Sequence, residues 1–361
     1  MPYIKKFQLD KLTLPSNIFY APMAGCTDFP QRQITAKFRP GLIFCEMVKM
    51  EPLYRQIKGI KESLDFDSSM HPIGAQVCGS NINLAAPCAK IIEDMGFDVL
   101  DFNCGCPVRK VVKDGSGAAM LKTPELIGDI LATMKNAVKI PVTVKIRIGW
   151  DDTSINASTA NNTSVDNTCV DNTCVNATYV DNTCVDDTDV NDTNLLAVQI
   201  TKIAEKAGAS AITIHGRTAK QLYKGRSNWN HIKACKKNAK NIKVIGNGDL
   251  YTYNDILEMF KYTECDGVMV ARGMLKNPAI ANNPSDEKYL LEECLLAHLV
   301  NIENYWKNEK KIFLKMRQAA FWYLKKIPGT KKLRVLISQT KTPQELKNLV
   351  KEQHLWETFV G

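Results

Sequence analysis

Residues 211–273 read AITIHGRTAKQLYKGRSNWNHIKACKKNAKNIKVIGNGDLYTYNDILEMFKYTECDGVMVARG. Three short apolar runs, AITIHG (211–216), KVIGNGD (243–249) and GVMVARG (267–273), alternate here with longer stretches of mixed polarity. Runs of this length that are apolar on successive residues suit strands buried on both faces. The same unit recurs upstream, as IFYAP (18–22), LIFCEM (42–47), IGAQV (73–77), DVLDFN (98–103) and VTVKIRIG (142–149). Helix-like segments such as NLAAPCAKIIEDMG and LLAVQITKIAEKAG lie between them, the latter closed by Gly208 in the position of a C-cap. Eight such strands separated by helices predict a parallel sheet covered on its outside, closed into a (β/α)8 TIM barrel.

In that architecture the C-terminal strand ends gather on one face, where active sites are built. Here they read Pro22-Met23-Ala24-Gly25, Glu46, Gln76, Asn103, Lys145 with Arg147, His215-Gly216-Arg217, Asn247-Gly248-Asp249 and Ala271-Arg272-Gly273. Lys145, His215 and Arg272 are basic, and the last two turns can present backbone N–H groups, a combination suited to an anionic cofactor. A flat redox ring would then lie across the mouth, with Met23 and Gln76 beneath or beside it and Lys145 near its electron-rich edge. Taken singly, Lys145 equally suits an ion pair and His215 a structural histidine.

The chain has 361 residues, enough for a barrel and a smaller unit, with ordinary hydrophobic (45%) and charged (24%) content. No apolar run reaches the roughly 18 residues that span a bilayer, and MPYIKKFQLDKL lacks the apolar core of a signal peptide. A cytoplasmic monomer with reduced thiols is the expectation for its twelve cysteines. Residues 151–194 hold nine aspartates, no Lys or Arg, and a tract in steps of five from Val165 to Asn194 (VDNTC, VDNTC, VNATY and so on). Such low complexity predicts an inserted loop without a core, ahead of a pentapeptide solenoid or a metal-binding array. With those aspartates set aside, the formal charge rises from +9 to +18, which favours a polyanionic partner. After residue 284 the pattern turns wholly helical. Residues 285–361 are expected to form a small second domain, with residues 1–284 the barrel. Lys307, Lys310, Lys311, Lys315, Arg317, Lys325, Lys326, Lys331, Lys332 and Arg334 fall there, interleaved with Phe321, Trp322 and Tyr323. They suit phosphate binding, although a solvated face and core aromatics account for the same residues.

DFNCGCPVRKVVKDGSGAAMLK (101–122) sets two cysteines either side of one glycine. A Cys-x-Cys pair can ligate metal, but no second Cys/His pair of suitable spacing accompanies it, and a disulfide would close an unusually tight ring. The stretch resembles the tRNA-dihydrouridine synthase family, closest to its bacterial B-type branch. Further matches follow in order: APMAGCTD, GAQVCG, VKIRIGWDD, HGRTAKQLYKGRSNW, IGNGD, GVMVARGMLKNP and RQAAFWYLKKIPGTKKLR.

The resemblance implies an FMN-bound barrel with a helical tRNA-binding domain, reducing uridines in tRNA at the expense of NADPH. It makes Cys106, before the proline, the general acid, with Cys104 in a variable and structural position. It places Met23, Gln76, Lys145, His215, Asn247, Gly248, Asp249, Ala271, Arg272 and Gly273 along FMN, and Asn103 against the target base. Arg109, Lys110, Lys113 and Arg217 fall where nucleic acid would enter. Family members often have glycine where Ala271 stands. No metal is expected. A flavin dehydrogenase of a free pyrimidine is the rival reading, distinguished by having no need of residues 285–361; a tRNA-binding protein without chemistry is the other.

Overall fold

The computed structural model describes residues 3–156, 193–282, 287–325 and 329–352. An antiparallel hairpin of β1 (Phe7–Leu9) and β2 (Leu12–Leu14) precedes the sheet. The sheet holds β3 (Ile18–Tyr20), β4 (Leu42–Phe44), β5 (Val48–Lys49), β6 (Ile73–Cys78), β7 (Val99–Cys104), β8 (Val142–Arg147), β9 (Ala211–His215), β10 (Lys243–Asn247) and β11 (Gly267–Val270). Its order is β4-β3-β11-β10-β9-β8-β7-β6, and β4 pairs with β6 as well as β3, so eight parallel strands close on themselves. The short β5 extends the β6 pairing beyond β4. Each predicted apolar run lies on one barrel strand.

The runs are apolar throughout because alternate residues serve two cores. Ile18, Tyr20, Ile43, Leu100, Phe102, Val144, Ile212 and Val268 point outward into the layer shared with the helices. Phe19, Ala21, Leu42, Phe44, Val99, Ala211, Ile245 and Met269 form a separate cluster with Phe7, Leu9 and Leu14 of the hairpin. The hairpin therefore plugs the floor of the barrel. Each fully buried Leu or Phe contributes about 1.5–3 kcal/mol, so both faces of every strand support closure. The hairpin was absent from the sequence reading: three-residue strands give too little alternation to register.

After the barrel, four helices follow among the described residues, Glu287–Tyr305, Glu309–Leu324, Lys331–Gln339 and Pro343–Glu352. Leu295, Leu299, Met316, Ala320, Leu333, Ile337, Leu346 and Val350 build a third core, which also takes Ile34 from the barrel helix Phe29–Ala36. Trp322 and Tyr323 are buried in or beside it, so the aromatics of this region support packing. Lys315 ties the two regions together, 2.9 Å from the Asp28 carboxylate and donating to the Gly25 carbonyl at 3.0 Å. Lys307, Lys310, Lys331 and Lys332 are exposed. Among the described residues no helix is long and apolar enough to cross a membrane.

The predicted insert begins just after β8. An Asp151 capping box opens the turn Asp152–Ile155, and Asn156 bridges antiparallel to Leu195, so the segment leaves and rejoins the fold at one point. The repeats themselves lie outside the described residues.

Candidate active site

Toward their C-terminal ends, the inward positions of the central strands turn polar: Gln76 on β6, Asp101 and Asn103 on β7, Thr143, Lys145 and Arg147 on β8, Thr213 and His215 on β9, and Asn247 on β10. The parallel register sets Gln76 beside Asp101, Asp101 beside Thr143, Asn103 beside Lys145, and His215 between Arg147 and Asn247. Spacing of two along a strand and one register across it thus gathers a polar layer above the apolar floor.

Four of these side chains form one chain of hydrogen bonds. Thr143 Oγ1 donates to Asp101 Oδ1 (2.6 Å), Gln76 Nε2 donates to Asp101 Oδ2 (2.7 Å), and Asn103 Nδ2 donates to Gln76 Oε1 (2.8 Å). Asn103 Oδ1 then accepts the backbone N–H groups of Gly105 (3.1 Å) and Cys106 (2.9 Å). Cys106 is further fixed by Ala118 N–H, which donates to its carbonyl. Gly117, at φ +61°, lies so close that a side chain would strike the Cys106 carbonyl and Val111. The glycine-rich turn after the cysteines is therefore the backing of Cys106.

The two thiols differ in setting. Cys104 is fully buried in the outer core. Cys106 lies past the strand end and is partly exposed. Burial raises its thiol pKa, against a Val108 backbone hydrogen bond and the charges of Arg147, Lys145 and Lys49, so it stays protonated at neutral pH.

Cations dominate the mouth. Lys145 is half-buried, its pKa lowered to about 8 by burial and then by Arg147, and its ammonium makes no hydrogen bond among the described residues. Arg147 is buried and spends its donors on the carbonyls of Gly105, Thr218 and Leu222. Burial, reinforced by Arg147, Lys145, Arg217 and Arg272, holds the His215 pKa well below its ordinary value, so the ring is neutral. Arg217 Nη1 lies 3.4 Å from His215 Nε2. A guanidinium can only donate, so Nε2 is the acceptor and the proton sits on Nδ1.

Beyond His215 lies a recess lined by His215, Tyr223, Asn247, Gly248, Asp249, Leu250, Tyr251, Ala271 and Arg272, about 290 Å³ including the solvent at its opening. Gly248 has φ +123°, and a Cβ there would collide with Ser227 and His215. Ser227 Oγ, beside it, is buried without a hydrogen-bond partner among the described residues. Asp249 accepts from Ser227 N–H and pairs with Arg217 (2.7 Å) and Arg272 (3.3 Å). The Arg272 guanidinium lies 4.4 Å from the Tyr223 ring centroid and 5.2 Å from that of Tyr251. Ala271 has φ −110°, outside the left-handed region, so alanine fits where the resemblance favours glycine. Gly273 is required by packing, since a Cβ would strike the Leu250 carbonyl.

Met23 heads a tight turn, its carbonyl accepting from Cys26 and Thr27. Arg109 and Lys110 are exposed on the short helix Arg109–Val112 directly after Cys106, with exposed Lys113 following. Arg217 is a correction. Instead of facing incoming nucleic acid it is 2% exposed, its donors held by Asp249, His215 and the carbonyls of Lys224 and Gly225. A buried arginine needs such partners, and its charge here shapes the loop. Asp101 and Thr143 were missed as members of the layer. Their spacing of two from Lys145 and Asn103 was the available signal.

A parallel eight-stranded barrel whose mouth pairs a protonated thiol with converging cations defines a class of site: one suited to an anionic ligand, with a proton available beside it. The comparisons narrow the class to a family. The family described as "Dihydrouridine synthase (Dus)" matches residues 19–169 and 167–359, and the chain belongs to it. A probable tRNA-dihydrouridine synthase from Rickettsia bellii is 30% identical over 96% of this chain and 97% of its own length. The tRNA-dihydrouridine synthase B of Pasteurella multocida is 29% identical over 92% of this chain and 91% of its own. Among solved structures, TcOYE with pHBA superposes with a TM-score of 0.52 at 13% identity, covering 88% of this chain and 98% of that one. Histamine dehydrogenase from Rhizobium sp. 4-9 does so at 0.52 and 11%, covering 82% of this chain and 50% of that one. These two likenesses concern the fold.

Proposed function

We propose that this chain reduces uridines in tRNA to 5,6-dihydrouridine, with FMN at the barrel mouth and NADPH or NADH as reductant. The observation that carries the reading is Cys106: a protonated, partly exposed thiol fixed at the strand end beside Lys145 and Arg147. The donor set fits FMN. Among the described residues Lys145 makes no hydrogen bond and Ser227 Oγ is buried without one, and Arg272 lines the same recess as Gly248, a cation for a phosphate. Met23, Gln76, Lys145 and His215 would flank the ring, with Asn247, Gly248, Asp249, Ala271, Arg272 and Gly273 toward the phosphate.

Reduced FMN, when bound, supplies the hydride to uracil C6. Cys106 gives its proton to C5: the S–H bond breaks, the C5–H bond forms, and the thiolate is reprotonated from water. Arg147, Lys145 and Lys49 stabilise that thiolate while it exists. Neutral His215 adds a donor at Nδ1 without further charge. The second amide hydrogen of Asn103 is left for the base. The uridine leaves its stack to reach this depth, and Arg109, Lys110 and Lys113 meet the flanking phosphates. Residues 1–284 hold the FMN barrel and residues 285–361 the tRNA-binding helices, in a monomer working in the cytoplasm.

Incubating the purified yellow protein with NADPH and uridine-rich tRNA transcripts, then measuring dihydrouridine by mass spectrometry, tests the reading. Dihydrouridine in tRNA supports it. NADPH oxidation with reduction of free uracil and none of tRNA would replace it with a pyrimidine dehydrogenase.

A further inference from the structure

The hydrogen-bond chain beneath Cys106 has a direction. Asp101 is fully buried, and as a carboxylate it only accepts. It therefore draws the Nε2 end of Gln76 toward itself, which leaves Gln76 Oε1 for Asn103 Nδ2, and that leaves Asn103 Oδ1 for the N–H groups of Gly105 and Cys106. Each amide can turn over, but only one arrangement of both satisfies every contact while position 101 is an acceptor alone. We propose that Asp101 is a positioning residue for Cys106: its carboxylate sets the orientation of two amides, and through them the loop that carries the thiol. The proposal deepens the reading of Cys106 as the proton donor and rests on that reading for its consequence in turnover.

Replacing Asp101 with asparagine changes the shape very little and the polarity completely. Buried Thr143 Oγ1 has no other acceptor among the described residues, so it keeps donating to position 101 and takes the new amide oxygen; the new NH2 then faces Gln76 and turns it over. Gln76 then donates to Asn103, which must turn in its turn and point its own NH2 at two backbone N–H groups. A donor facing donors leaves buried N–H groups unpaired, and the loop shifts. A second change repairs the chain on paper. In Asp101→Asn with Gln76→Glu, the new amide at position 101 donates to the new carboxylate at position 76, Asn103 donates to it as well, and Asn103 Oδ1 again faces Gly105 and Cys106.

The experiment compares wild type, Asp101→Asn and the double variant by two readouts. One is the rate at which iodoacetamide modifies Cys106, mapped by peptide mass spectrometry on the protein without tRNA. The other is dihydrouridine formation in tRNA. The single variant is expected to lose about 100-fold in turnover, the scale of a misplaced reacting group, and to change its Cys106 alkylation rate. The double variant is expected to regain the wild-type alkylation rate, and its rescue is read there alone because Gln76 also flanks the ring. A residue that only supported packing would not be rescued by moving its charge to a neighbour. If the single variant fails to fold, recovery in the double variant still decides. A double variant no better than the single, or a single variant indistinguishable from wild type, overturns the proposal. Absence of dihydrouridine in wild type would count against the reading of Cys106 as donor, while the alkylation rates still judge the amide chain.

Discussion

The floor and the mouth of this barrel are made by the same strands and differ in almost everything else. On β7 the inward positions run Val99, Asp101, Asn103; on β9 they run Ala211, Thr213, His215. Each begins in the apolar cluster with Phe7, Leu9 and Leu14 and ends among hydrogen bonds and cations. The floor closes the barrel by burial alone, which needs size and shape and tolerates exchange among apolar residues. The mouth carries four buried or half-buried cations, Lys145, Arg147, Arg217 and Arg272, around a neutral histidine, an arrangement that costs stability and suits an anionic ligand. The difference separates residues that hold the fold from residues that hold a ligand, although they are neighbours on one strand.

That separation can be broken from either side. Phe19→Ala in the floor should lower stability by about 3–5 kcal/mol, measured by denaturant unfolding, with flavin affinity of the folded protein unchanged. Loss of flavin affinity in that variant would mean floor and mouth are not separable. Gly248→Ala should do the opposite, weakening flavin binding by about 1–3 kcal/mol through its left-handed φ and its collision with Ser227 and His215, as read by flavin fluorescence titration.

A smaller effect comes from pH. Lys145 is charged below about 8 and loses its proton as pH rises through that value. Flavin binding should therefore weaken about tenfold as pH is raised from about 7 to about 9.5, and Lys145→Met should flatten the profile. The least effect is expected from deleting residues 157–192. Asn156 and Leu195 already pair antiparallel, and the deletion leaves Thr193-Asn194 as a two-residue connection, a length such pairs accept. Melting temperature and flavin content should match those of the full chain; insoluble protein would show that the tract supports the fold.

All eight barrel strands were legible in the sequence, because strands buried on both faces write continuous apolar runs. Cys106 was singled out only through the family resemblance, and the structure sets it past the strand end, partly exposed. Arg217 was misread since sequence gives its charge and not its depth: a basic residue after a strand end looks solvent-facing until loop 217–228 folds over it. Asp101 and Thr143 went unnoticed because a single polar residue inside an apolar run reads as noise unless its inward parity is followed across the sheet. The β1–β2 hairpin was too short to stand out, yet Phe7, Leu9 and Leu14 complete the floor.

The most direct test sets the two thiols of one segment against each other. Cys106→Ala and Cys104→Ala, each loaded with flavin, would be compared for dihydrouridine formation in tRNA. With its thiol in the mouth, Cys106→Ala should keep its flavin and lose roughly a hundred- to ten-thousandfold in rate, while Cys104→Ala, altered only in the outer core, should turn over normally when folded. Full turnover by Cys106→Ala, or its loss in a folded Cys104→Ala, would contradict the account.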